Sequence, residues 1–246
     1  MPSRPELAAL AANLACRRRL GLALVQGSPR ELEDLLAALA PRREAASPAQ
    51  ENPAAAPAAP AAEELEQIQR QMGNCTRCAL HEKRHRIVFG EGPAPARIMF
   101  IGEGPGAEED RQGRPFVGPA GRLLDLMLAA VGLRRQEVYI TNIVKCRPPG
   151  NREPRPEEAA ACRRFLEAQV QAVDPEIICT LGRPATQSLL ETKAPISTLR
   201  GNWHRFMERP LLPTFHPAYL LRTPERKREA YQDLKTLVRA LKEGAP

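Results

Sequence analysis

Four cysteines have the types and grouping to bind a metal: Cys75 and Cys78 form a C-x2-C pair, and Cys146 and Cys162 follow singly. Thiolates grouped in this way are soft ligands for zinc or an iron–sulfur cluster. A zinc ribbon would repeat the C-x2-C pair, so single thiols from separate segments suit a cluster better. The alternative is a set of unrelated core thiols. Cys179, inside Ile177-Ile178-Cys179, reads as such a core residue, and Cys16 has no partner nearby. Four further features could carry chemistry: the loop Gly102-Glu103-Gly104-Pro105-Gly106, the acidic run Glu108-Glu109-Asp110, Asn142, and His216 before Pro217. The loop lacks the Lys-Ser/Thr of a phosphate loop, and its glycine spacing is not that of a dinucleotide fingerprint. Its glycines would let the backbone approach a flat ligand or another loop, or make a plain strand exit. An acidic run by itself is ordinarily a solvated face.

The elements that must position these residues alternate between strand and helix. Apolar runs at 97–101, 138–144, 176–181 and 211–215 read as four strands, and 119–131, 156–173, 184–190 and 224–241 as helices. Such alternation predicts an α/β protein: three layers, α/β/α, around a central, mostly parallel four-stranded sheet. Ligands of such sheets sit beyond the carboxyl ends of the strands. The glycine-rich loop, Asn142 and His216 all fall there. Residues 1–40 carry Leu and Ala at helical spacing, with Ser28-Pro29 as a helix start, and predict a helical N-terminal extension. Residues 41–62 are rich in Pro and Ala and read as a semi-rigid linker, leaving 63–246 as the main domain.

The formal net charge is +7, which favours an anionic partner, nucleic acid first. Aromatic residues make up only 4%, against a single-strand binder built on rows of stacking rings. The N-terminus lacks the apolar segment of a secretory signal, and no apolar run reaches a membrane span. A soluble, cytoplasmic protein with reduced thiols is expected.

The combination of Cys75-Thr76-Arg77-Cys78, Gly102 to Asp110, Pro115-Phe116-Val117-Gly118-Pro119-Ala120-Gly121, Thr141-Asn142-Ile143-Val144-Lys145-Cys146-Arg147-Pro148-Pro149, Cys162 and His216-Pro217-Ala218-Tyr219-Leu220-Leu221-Arg222 resembles the type-4, iron–sulfur branch of the uracil-DNA glycosylase superfamily. The resemblance runs from Cys75 to Arg222 and leaves the first 63 residues outside. It implies a repair enzyme that flips uracil out of single- or double-stranded DNA, hydrolyses the N-glycosidic bond and leaves an abasic site. It implies a 4Fe–4S cluster on Cys75, Cys78, Cys146 and Cys162, in a structural role that braces Arg77, Lys145 and Arg147 beside DNA phosphates. Phe116 would stack on the base, Gly104 would line the site and Asn142 would read the uracil edge. His216 would stabilise charge at uracil O2, helped by backbone N–H groups around Glu103 and Gly104. An apolar residue in the stretch after His216 would wedge into the emptied stack.

One departure from the family pattern stands out. The better-known branch has an aspartate where Gly104 stands, so the carboxylate that supports water and the sugar cation must come from Glu103 or Glu109, with Glu103 favoured. The loop Pro148-Pro149-Gly150-Asn151-Arg152-Glu153 has no histidine to trap the sugar, and no lysine is placed as a Schiff-base nucleophile. Ordinary hydrolysis without strand cleavage is therefore expected, by a monomer, with the N-terminal extension available to a protein partner. Two other readings compete: a non-catalytic nucleic-acid-binding protein with a structural zinc, and a ferredoxin-like electron carrier. The basic charge and the spread of the cysteines count against the carrier.

Overall fold

The computed structural model describes residues 59–244. The expected helical pair, most of the linker and Cys16 lie outside the described residues. A first helix, α1 (Ala59–Met72), starts within the last residues assigned to the linker, four positions before Glu63. A proline is tolerated in a first helical turn, where backbone N–H groups lack intrahelical acceptors.

Five strands follow: β1 (Ile98–Gly102), β2 (Tyr139–Asn142), β3 (Ile177–Leu181), β4 (His204–Phe206) and β5 (Arg209–Thr214). They form one sheet in the order β2-β1-β3-β5-β4, parallel except for the antiparallel pair β4 and β5. The sheet therefore has one strand more than the expected four. β4 escapes a sequence reading because it is three residues long and only its last residue is buried. Its hairpin turns on Met207 and Glu208, both at positive φ (49° and 61°), where Gly, Asn or Asp would have marked the turn.

β1 and β3 are buried along their whole length, as expected for parallel strands covered on both faces. Successive side chains point to opposite faces, so the two helical layers divide the strand residues between them. Phe100, Ile140, Cys179 and Leu212 pack against α3 (Pro119–Ala130), α7 (Pro217–Arg222) and α8 (Lys227–Glu243). Met99, Ile101, Ile178 and Leu211 pack against α1, α4 (Pro156–Val173) and α5 (Arg183–Leu190). Short helices α2 (Ala107–Gln112) and α6 (Ile196–Leu199) complete the set. Cys179 is a core residue, as its apolar run indicated. Helices α3, α4 and α7 each start with a proline at the first position, which fixes where the chain turns off the strand ends. No helix of the described residues is long and apolar enough to cross a membrane.

Candidate active site

The register brings the site residues together. Gly102 pairs with Asn142 across β1 and β2, and Leu181 pairs with Thr214 across β3 and β5. The chain segments beginning at Glu103, Ile143, Gly182 and Phe215 therefore leave the sheet side by side. They open into a cleft of about 1000 Å³ lined by, among others, Glu103, Phe116, Asn142, Gly182, His216 and Leu221.

Asn142 is 1% exposed. Its Oδ1 is buried without a hydrogen-bond partner. Its backbone carbonyl accepts from Lys145 Nζ at 2.8 Å, which fixes the exit of β2. Gly102 stands directly behind the amide: a Cβ there would lie 2.5 Å from Asn142 Oδ1 and 2.6 Å from Phe116 Cζ. The amide oxygen and the phenyl ring thus crowd one point at the end of β1, and only glycine leaves room for both. Phe116 adopts φ +49°, and its ring centroid lies 5.6 Å from that of His216.

His216 caps α7, with Nδ1 accepting from the Ala218 N–H at 3.0 Å. A ring nitrogen that accepts is unprotonated, so the neutral imidazole carries its hydrogen on Nε2. Burial, and then the Arg222 cation, hold the His216 pKa down at about 4, so the ring is neutral at pH 7. Gly182, at φ +87°, lets the histidine pack against the end of β3, since a Cβ there would lie 2.7 Å from His216 Cβ.

The loop carboxylates separate in their surroundings. Burial, and then the Glu153 carboxylate, raise Glu103 to about 7 against the opposing Arg183 cation. Glu109 is buried and its Oε1 accepts from the N–H groups of Val117 and Gly118 at 2.9 and 2.8 Å. That side chain fastens the turn after Phe116. Asp110 is also buried and accepts from the backbone N–H groups of His85 and Arg86 at 2.9 and 3.3 Å. The acidic run is therefore not the solvated face that charge alone suggested. Gly104 abuts Val144: a Cβ would come within 2.9 Å of Val144 Cγ2, so an aspartate would fit only after a shift.

The cysteines from three segments meet beside α4. Leu80, Val144 and Cys146 form a small buried cluster against which Cys78 and Cys162 pack. The Cys162 thiol senses Cys75 and Cys78, and the Cys146 thiol senses Cys78 and Cys162. Burial pushes Cys146 up to about 11 as a free thiol, so a positive partner is needed to hold it as thiolate. The sulfurs also collect N–H donors: Arg84 reaches Cys146 Sγ at 3.3 Å, Arg77 reaches Cys75 Sγ at 3.6 Å, and the Lys145 backbone donates to Cys162. An all-sulfur set ringed by N–H donors fits a thiolate-held iron–sulfur group. Among the described residues no three or more His, Cys, Asp or Glu are grouped around the place of a single ion. None of the four cysteines lines the cleft.

Of the three basic residues expected beside phosphates, Lys145 is not at the surface. It is 1% exposed, and its Nζ bonds Thr141 Oγ1 at 2.6 Å as well as the Asn142 carbonyl. It braces the strand end from within. Arg77 is exposed and Arg147 half-buried, and each could still face an anion. Leu221, at 45%, is the exposed large hydrophobic residue among those described.

A family model, that of the uracil DNA glycosylase superfamily, matches residues 89–235. The chain is similar to a type-4 uracil-DNA glycosylase of Thermotoga maritima, at 46% identity over 70% of this chain and 91% of that protein. A type-4 uracil-DNA glycosylase of Archaeoglobus fulgidus is 42% identical over 71% of this chain and 92% of its own length. One from Sulfurisphaera tokodaii is 41% identical over 70% and 83% respectively.

Proposed function

Because the chain belongs to the uracil DNA glycosylase superfamily, we propose that it excises uracil from DNA by hydrolysis, with Asn142 reading the base, Phe116 stacking on it and His216 receiving its charge. The observation that carries this reading is the buried, unpartnered Oδ1 of Asn142. A buried acceptor left unpaired costs roughly 1–3 kcal/mol, which a ligand N–H at that point restores. Uracil offers one at N3. Cytosine offers a lone pair at N3 and an amino group at C4, so against this amide it would oppose acceptor to acceptor and donor to donor.

The bond between C1′ and N1 breaks with its electron pair going to the base. Negative charge collects on the uracil ring, chiefly at O2, and the sugar is left cationic. The Nε2–H of His216 donates to O2 without giving up its proton. A preorganised donor at the point where charge develops is usually the largest catalytic term. Water then adds to C1′ and its proton passes to Glu103. No lysine or histidine of this chain is assigned a covalent bond to the sugar, so the product is an intact strand with an abasic site. Leu221 fills the emptied stack, as apolar wedges do in bent duplexes. Arg222, beside the histidine, faces the phosphates.

Purified full-length protein incubated with a uracil-containing oligonucleotide should give breaks at uracil after alkali and none before it. Absence of alkali-labile sites would overturn the reading. Single-turnover excision should rise with pH through about 7, as Glu103 ionises and can accept a proton. Glu103→Gln should flatten that limb and slow excision about 100-fold at pH 8, the low end for a general base, because the glycosidic bond parts before water is needed. An unchanged limb would move the water-supporting role elsewhere, with Glu109 next in line.

Cys75, Cys78, Cys146 and Cys162 would hold a 4Fe–4S cluster that cross-links the segment after α1 to β2 and α4 and supplies no chemistry at the base. Iron and sulfide analysis should give about four of each per chain, with brown absorption. Cys179→Ser should leave that content unchanged. One zinc without sulfide would replace the cluster with the structural-metal alternative. Residues 1–62 are not needed for excision, which belongs to the domain after the linker; the extension serves a partner, and the protein acts as a monomer in the cytoplasm.

A further inference from the structure

We propose that Arg135, which touches neither base nor sugar, is the positioning residue that holds the ring of Phe116 in place to receive the flipped base; this rests on the reading that Phe116 stacks on uracil. The observation is a conformation that Phe116 would not choose. At φ +49° it occupies the left-handed region, where a bulky residue is an outlier that persists only if its surroundings over-determine it.

The surroundings do so from both sides of the peptide chain. On the N–H side, Glu109 takes the donors of Val117 and Gly118. On the carbonyl side stands Arg135, from the turn Arg135–Glu137 that leads into β2. Its Nη2 donates to the Pro115 carbonyl at 2.5 Å and its Nη1 to the Phe116 carbonyl at 3.0 Å. Its other donors are fixed too: Nε and Nη2 bond Glu91 Oε1 at 2.9 and 2.7 Å, and Nη1 bonds Asp125 Oδ1 at 3.0 Å. All five guanidinium protons are thereby used, two of them on consecutive carbonyls of the strained turn. Gly121 of α3 completes the seat, since a Cβ there would overlap the Phe116 oxygen at 1.8 Å. A lysine, with a single ammonium on a flexible stem, cannot form this fork. Without the fork, Phe116 is free to relax to negative φ and carry its ring away from Asn142 and His216.

The test is a double-mutant cycle of Arg135→Lys and Phe116→Ala in the full chain, read by single-turnover excision, with thermal melting to confirm folding. Phe116→Ala should slow excision roughly 10- to 100-fold, the range that base–aromatic stacking spans. Arg135→Lys should slow it by a similar factor, and the double variant should be no slower than Phe116→Ala alone, because both remove one ring position. A double variant whose losses multiply overturns the proposal while leaving the stacking reading intact, as does an Arg135→Lys protein at full rate. A full-rate Phe116→Ala sinks the stacking reading and the proposal with it. Should Arg135→Lys not fold, Glu91→Gln, which keeps the arginine but loosens its anchor, is placed in the same cycle and judged by the same outcomes.

Discussion

Replacing Asn142 with aspartate is expected to slow excision of uracil about 10,000-fold, because a site built to pair with one polar pattern rejects the mismatched one by that order. The side chain is shut away from water, so a carboxylate there must either find a partner or stay protonated. If ionised, it meets uracil O4 with an acceptor and repels the departing anion. If protonated, one oxygen donates and the other accepts, a pattern that also suits cytosine N3 and its amino group. Weak excision of cytosine is therefore the expected gain, strongest at low pH. The measurement is single-turnover release from matched oligonucleotides carrying uracil or cytosine, with wild type alongside. A variant that keeps both rate and selectivity would remove Asn142 from base reading and leave its unpaired Oδ1 without a ligand.

His216→Ala is expected to cost roughly 100- to 1,000-fold in the single-turnover rate, the range for losing one preorganised donor to a developing anion. DNA binding should persist, because the proposed phosphate contacts come from arginine side chains and not from His216. The rate loss should be similar at pH 6 and pH 8. With its pKa held near 4, the wild-type ring is neutral at both, so no change of charge occurs within that window. Below about pH 5 the wild-type advantage should shift as the ring begins to protonate and loses its Nδ1 bond from Ala218. A His216→Ala protein at full rate, or a loss confined to the pH range around 6.5 where an ordinary histidine titrates, would contradict the assignment of a neutral donor.

The amino-acid sequence by itself determined four of the five strands, helices α3, α4, α5 and α8, and the placing of Asn142, His216 and the glycine-rich loop at strand ends. Runs such as Ile98 to Ile101 and Ile177 to Leu181 are apolar throughout, and their type follows from burial on two faces without knowledge of partners. Asn142, His216 and the glycine-rich loop were legible because each falls at a strand end, and a parallel sheet gathers its strand ends at one edge. The grouping of the four cysteines was legible from type and spacing, since thiols rather than backbone geometry carry that signal. Tertiary structure decided the rest, where a residue's role depends on contacts distant in the chain. Lys145 stands between residues that suit a phosphate site, yet Thr141 Oγ1 and the Asn142 carbonyl draw its ammonium inward. Glu109 read either as part of a solvated charge run or as the second candidate for the water-supporting carboxylate, and only the fold shows the N–H groups of Val117 and Gly118 held on it. No motif marked Arg135, because its carbonyl partners are supplied by a loop that only the packing of α3 brings near. Phe116 shows the physical limit most clearly. Its type disfavours the left-handed backbone it adopts, so local propensity points the wrong way, and only the summed hold of Glu109, Arg135 and the gap at Gly121 makes that conformation the stable one.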